Sequence, residues 1–158
     1  MEPIRVVWGT GAAPTAMAAY DAALADAGVA DYNLVTVSSV VPAGASVEPV
    51  GTAPELGAVG DRLTVVQARA ATRPGDEQPA CAGLAWAVGR EGGLFYEASG
   101  TNPADVRATV QDGLAAGERL RDWPIERRND RVAVAEADST DHRAAAVLAV
   151  YGSGESLL

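Results

Sequence analysis

Apolar residues along this chain fall in short runs separated by glycine, proline and polar clusters. Ile4–Trp8 is apolar and partly β-branched, the pattern of a buried strand. Gly9-Thr10-Gly11 is expected to break it, and Pro14-Thr15 to open a helix that runs to about Ala27 and closes at Gly28. Tyr32–Val37 and Leu63–Ala70 predict two further strands, separated by the Pro/Gly-punctuated stretch Ala43–Gly60. Arg73–Pro79 predicts a loop. Ala82–Gly89 and Leu94–Ser99 predict a hairpin turning through Arg90–Gly93. Asn102 as N-cap, Pro103 and Asp105 start a second helix, with a stripe of Val106, Val110, Gly113, Gly117 and Leu120. Arg131–Glu136 and Ala144–Tyr151 read as late strands, and Gly152–Leu158 as a frayed tail. About seven strands and two helices without regular alternation predict an α+β layered domain, not a doubly wound parallel sheet.

Composition narrows the chemistry. The 158 residues suit one domain, 1–158. Aromatics are scarce and alanine is the commonest residue, so thin helices should pack closely on sheet. All 12 basic residues are arginine. Without lysine there is no pyridoxal-phosphate Schiff base and no phosphate-binding lysine of the Walker type. One cysteine, Cys81, and one histidine, His142, cannot build a thiolate- or imidazole-rich metal site or a disulfide framework. No metal is expected, and a reducing cytoplasm is the expected setting. The net charge of −9 argues against nucleic-acid partners and suits a cationic small molecule. No apolar run approaches the ~20 residues of a membrane span, and Met1–Arg5 lacks the features of a secretory signal.

Four features carry candidate chemistry. Gly9–Pro14 follows a strand and precedes a helix, as a dinucleotide-binding turn would. Pro14 at the third small position and Ser38-Ser39 in place of an acidic ribose ligand favour a plain strand-to-helix turn. Asp21 falls on one helical stripe with Met17, Tyr20, Leu24 and Gly28. A carboxylate on a packing face is either salt-bridged to an arginine or turned into a cation-binding pocket. Glu97 ends an otherwise apolar strand, where it is either a solvated edge glutamate or a general acid with a raised pKa. Ser38-Ser39 precedes Val40-Val41-Pro42. A serine hydroxyl in a tight turn can attack the carbonyl before it and form an ester by an N-to-O shift.

The string Asn33-Leu34-Val35-Thr36-Val37-Ser38-Ser39-Val40-Val41-Pro42 follows Tyr20-Asp21-Ala22-Ala23-Leu24 and Gly28, and Gly93-Leu94-Phe95-Tyr96-Glu97 follows it. Together with the alanine-rich segment Arg131–Tyr151, this order resembles the pyruvoyl-dependent arginine decarboxylases from about Val6 to Tyr151. The resemblance implies a layered αββα protomer in a homotrimer. It implies self-cleavage between Ser38 and Ser39 into a β chain, 1–38, and an α chain, 39–158. An ester through the Ser39 hydroxyl, β-elimination and hydrolysis with loss of ammonia would turn residue 39 into a covalent pyruvoyl group. The implied reaction converts L-arginine to agmatine and CO2. Glu97 would match the proton donor, Asp21 the carboxylate that binds the guanidinium, and Asn33 a processing or orienting residue. Pro42 would help fix the turn.

Other readings on the same scaffold are a decarboxylase of another basic amino acid such as histidine, a hydrolase with Ser39 as a free N-terminal nucleophile, and a non-catalytic trimeric binding protein. Asn33 and Ser39 are six residues apart, roughly 20 Å in an extended strand. The expectation is therefore a site built from two subunits.

Overall fold

A computed structural model describes residues 1–158. In chain order the elements are β1 (Ile4–Ala13), α1 (Ala16–Ala27), β2 (Asn33–Thr36), β3 (Val40–Val41), β4 (Val47–Gly51), β5 (Arg62–Thr72), β6 (Ala80–Gly89), β7 (Gly92–Gly100), α2 (Pro103–Glu118), β8 (Arg127–Ala135) and β9 (His142–Glu155). The strands form two sheets, ordered β2-β5-β9-β1-β4 and β3-β7-β6-β8.

Period-two alternation decides the layering. On β9, Ala145, Val147 and Ala149 turn inward to meet Leu84, Trp86 and Phe95 of the second sheet. Ala146, Leu148 and Val150 turn outward under α1, against Ala19, Ala23 and Ala27. A strand covered on both faces reads as a continuous apolar run, which is how Ala144–Tyr151 reads. On the other side, Val110 and Leu114 of α2 cover Ala85, Ala87 and Leu94. The order is helix, sheet, sheet, helix: the α+β sandwich expected. No helix is long and apolar enough to cross a membrane.

Four boundaries differ from expectation, each for a local reason. β1 does not break at Gly9-Thr10-Gly11 but stays paired to β9 as far as Ala13. The glycines are there because α1 lies directly above them; a Cβ on Gly11 would stand 2.5 Å from the Ala19 carbonyl oxygen. A paired strand is no phosphate-binding turn, so the dinucleotide context is gone. The hairpin turn is only Arg90-Glu91, because Gly89 pairs with Gly92. Val47–Gly51, inside the punctuated stretch, forms an edge strand parallel to β1. Gly152–Glu155 is not frayed: β9 continues to Glu155, which pairs with Arg62 in register and through an ion pair.

The helices are capped as read. The Thr15 side chain accepts the Ala18 N–H, and Gly28 closes α1 in the left-handed conformation at φ 85°. The Asn102 side chain accepts the Ala104 and Asp105 N–H groups. Their buried faces match the expected stripes in part: Val106, Val110 and Gly117 of α2 and Leu24 of α1 are buried. α1 buries Ala19, Ala23, Leu24 and Ala27 and leaves Met17 and Asp21 exposed. α2 buries Val106, Val110, Leu114 and Gly117, and Leu120 lies exposed beyond its end.

Candidate active site

β2 is an edge strand of one sheet and β3 an edge strand of the other. The chain steps between them in three residues, Val37-Ser38-Ser39. Before the step, the Val37 N–H donates to the Val65 carbonyl at 3.0 Å. After it, the Ser39 carbonyl accepts the Phe95 N–H at 2.8 Å. Carbonyl and N–H of one trans peptide point in opposite directions. With the Ser39 carbonyl tied into β7, the Val40 N–H turns back and donates to the Ser38 carbonyl at 3.0 Å. The result is a three-residue turn centred on Ser39, the tight geometry that an N-to-O shift requires.

Side chains complete the cluster. Ser39 Oγ donates to Glu97 Oε2 at 3.2 Å. Tyr151 Oη, at the rim of β9, donates to the Val40 carbonyl at 2.9 Å. Burial first, and the nearby Glu97 charge second, push the Tyr151 phenol up to about 12, so it remains a donor across the neutral range. Its ring meets Phe95 edge-on with centroids 6.1 Å apart. A cleft of about 430 Å³ opens here, lined by Ser38, Ser39, Tyr96, Glu97 and Arg121 among others. A larger cleft of about 680 Å³ between the opposite sheet edges contains neither Ser39 nor Glu97.

Glu97 is exposed, which fits the solvated edge glutamate of the two readings and not a carboxyl enclosed by apolar side chains. β3 pairs only with Gly93 and Leu94, so the outer half of β7 has an open edge. Pro42 lies past the turn it was expected to fix; its carbonyl instead accepts the Ala45 N–H at 3.1 Å, in the bend that leaves β3.

Two expected residues are not brought together with Ser39 within this chain. Asp21 stands on the exposed face of α1, forms no ion pair, and does not line the cleft. It is therefore neither a carboxylate inside a packing face nor a partner of an arginine. Asn33 begins β2, at the far end of that strand from Ser39, and its Nδ2 donates to the Gly60 carbonyl at 2.8 Å.

Two residues of the site were not anticipated. By sequence Tyr151 is only the end of an apolar strand, although a phenol closing such a run needs a polar partner. Arg121 follows a glycine-containing helix and precedes Trp123; that spacing hints at a stacked guanidinium but does not say where it points.

Serine, carboxylate and a polarised preceding carbonyl suffice for intramolecular acyl transfer. They also fit the residues from which a pyruvoyl group would arise, since Ser39 lies in an open cleft and not in the core. The family profile described as pyruvoyl-dependent arginine decarboxylase matches residues 3–156. A curated protein of Halobacterium salinarum with the same description is 54% identical over 159 residues, 98% of this chain and 97% of the relative. Proteins so named from Thermococcus sibiricus and Pyrococcus furiosus are 34% and 33% identical over 138 residues, 86% of this chain and 85% of each relative.

Proposed function

The chain belongs to the pyruvoyl-dependent arginine decarboxylases, and from that premise we propose that Ser39 is the residue that becomes the cofactor and that Glu97 serves both its formation and its use. Arginine decarboxylation is the reaction, a covalent pyruvoyl group the cofactor, and a small cationic amino acid the substrate. That group supplies a ketone able to accept electrons as CO2 leaves.

The observation that carries the assignment is the Ser39–Glu97 hydrogen bond beside a Ser38 carbonyl already polarised by the Val40 N–H. Ser39 Oγ attacks the Ser38 carbonyl carbon and gives its proton to Glu97. The Val40 N–H lies on the oxygen that becomes negative, as an oxyanion donor should. Collapse breaks the bond between the Ser38 carbonyl and the residue-39 nitrogen. That nitrogen takes the proton back from Glu97, leaving an ester and a free amine. The later β-elimination releases residues 1–38 as one chain and leaves 39–158 as the other. In turnover the same carboxylate stands beside residue 39, where it can take a proton from the substrate's ammonium group as the amine approaches and deliver it to the α-carbon after CO2 has left.

Substrate binding is proposed to be completed between subunits. Asp21 would hold the guanidinium through a bidentate charge-assisted contact, and Asn33 would orient the site, each approaching the Ser39 of a neighbouring protomer in a homotrimer. Support comes from the exposure of both residues and from their separation from the Ser39 cleft within one chain. A cytoplasmic setting belongs to the same proposal; the single thiol, Cys81, is buried and forms no disulfide.

Glu97→Gln tests the dual role. It should slow the appearance of the two fragments on a denaturing gel by about a hundredfold or more, and should slow CO2 release by the fragments that do form. Cleavage and turnover both at the wild-type rate would remove Glu97 from the mechanism.

A further inference from the structure

The Ser39 cleft contains a single cationic side chain, Arg121. It lies three residues beyond the end of α2, and its position follows from the packing of that helix. Gly113 and Gly117 let the last turns of α2 settle onto Tyr96; a Cβ on Gly113 would stand 2.5 Å from Tyr96 Cδ1. The chain then turns, and Arg121 is held from two sides. Its Nη1 donates to the Gly117 carbonyl at 2.9 Å. Its guanidinium carbon lies 5.4 Å from the centroid of the Trp123 ring. Neither partner neutralises it, and no carboxylate lies within ion-pair reach. Most of the five donors of a guanidinium fork are left without a protein partner.

We propose that Arg121 binds the α-carboxylate of the substrate amino acid at the cleft containing Ser39 and Glu97, an inference that rests on the reading of this cleft as the decarboxylation site. The amine of the substrate must approach residue 39, so its α-carbon and carboxylate lie within two bonds of that point. Glu97 is the one carboxylate lining the cleft and Arg121 the one cation. A substrate carboxylate is repelled by the first and drawn to the second, and a planar guanidinium can meet it with paired hydrogen bonds. This orientation leaves the face of the α-carbon opposite the departing carboxylate toward Glu97.

The contact has a specific thermodynamic character. It exists in the bound amino acid and vanishes as neutral CO2 departs. It therefore strengthens substrate binding without favouring the transition state over the bound ground state. The product amine has no carboxylate and gains nothing from Arg121. The guanidinium thus distinguishes arginine from agmatine at the end of the molecule where the two differ.

The test uses mature enzyme whose residue-39 ketone has been reduced with borohydride, so that arginine binds without turnover. Calorimetry then gives dissociation constants for arginine and agmatine on wild type, Arg121→Lys and Arg121→Met. Arg121→Met should weaken arginine at least tenfold and agmatine less than twofold, with Arg121→Lys between wild type and Met. In unreduced enzyme, KM for arginine should rise by a similar factor while kcat changes less than about threefold.

Equal loss of arginine and agmatine binding, or unchanged arginine binding, would overturn the proposal. If Arg121→Met fails to cleave, wild type and Arg121→Lys decide the matter with L-argininamide, which lacks the carboxylate charge. It should bind wild type at least tenfold more weakly than arginine, and Arg121→Lys should narrow that gap; equal binding on wild type contradicts the role. Borohydride uptake by wild type reports the ketone separately. Failure there sinks the reading of the cleft, whereas uptake with unaltered arginine binding in the variants sinks only Arg121.

Discussion

At the scale of single residues, the turn at Ser39 is held by neighbours that leave it little freedom. Phe95 holds its carbonyl, Glu97 its hydroxyl, and Tyr151 the next carbonyl along. Tyr151 touches no reacting atom, so it is a positioning residue. Tyr151→Phe removes one hydrogen bond of about 1 kcal/mol and should slow self-cleavage several-fold to tenfold, read as the half-time of fragment appearance. The pH dependence of stability gives a second readout. The folded phenol titrates at about 12, above the usual value near 10. The folded state therefore holds this proton more tightly than the unfolded chain. Its stabilisation is complete below about pH 10 and is lost as pH rises toward 12. Urea midpoints of wild type should fall over that window, and those of Tyr151→Phe should fall less. Cleavage at the wild-type rate, with an unchanged alkaline decline, would deny Tyr151 any positioning role.

Among the elements, the close approach of α1 to β1 depends on residues without side chains. A Cβ on Gly9 would overlap the Ala23 carbonyl oxygen, which belongs to helix backbone and cannot swing aside. Gly9→Ala should cost about 1–3 kcal/mol through overpacking, lowering the melting temperature by roughly 3–10 °C in calorimetry; an unchanged melting temperature would mean that the helix is not seated there. The same pair of elements shows what the sequence could and could not reveal. Three helix caps are legible, because Thr15, Gly28 and Asn102 act on backbone groups within a few residues. The face of α1 was not. In a helix this rich in alanine the apolar stripe has no sharp edge, so Met17 and Asp21 looked inward when the close-packed side is Ala19, Ala23 and Ala27. Gly9-Thr10-Gly11 read as a break because local propensity cannot register a helix passing overhead. Ser39 and Glu97, 58 residues apart in sequence, lie within hydrogen-bond reach; only the family resemblance had put them in one site. Tyr151 joins them from 111 residues beyond Val40, a separation across which no local pattern carries information.

For the whole molecule, the two-sheet layering places the reactive turn at a shared sheet edge, with Val35, Val37 and Val40 exposed around it. Apolar side chains on open strand edges favour burial against another chain, which agrees with the proposed trimer. If Ser39 of one protomer works with Asp21 of its neighbour, two inactive variants should rescue each other. Ser39→Ala and Asp21→Ala proteins, unfolded and refolded together, should regain measurable arginine decarboxylation, because some interfaces of the proposed trimer then carry both native residues. No recovery, in mixed trimers verified by mass, would mean that each site lies within one chain.

Every step of the proposed chemistry requires that residue 39 become a ketone. Intact-mass spectrometry of purified protein, before and after borohydride, tests this most directly. The expected spectrum contains a fragment 1–38 and a fragment 39–158 that is blocked at its N-terminus, gains hydrogen on reduction, and is missing from Ser39→Ala. A single intact chain of about 16 kDa, or a fragment that begins with an ordinary serine and ignores borohydride, would contradict it.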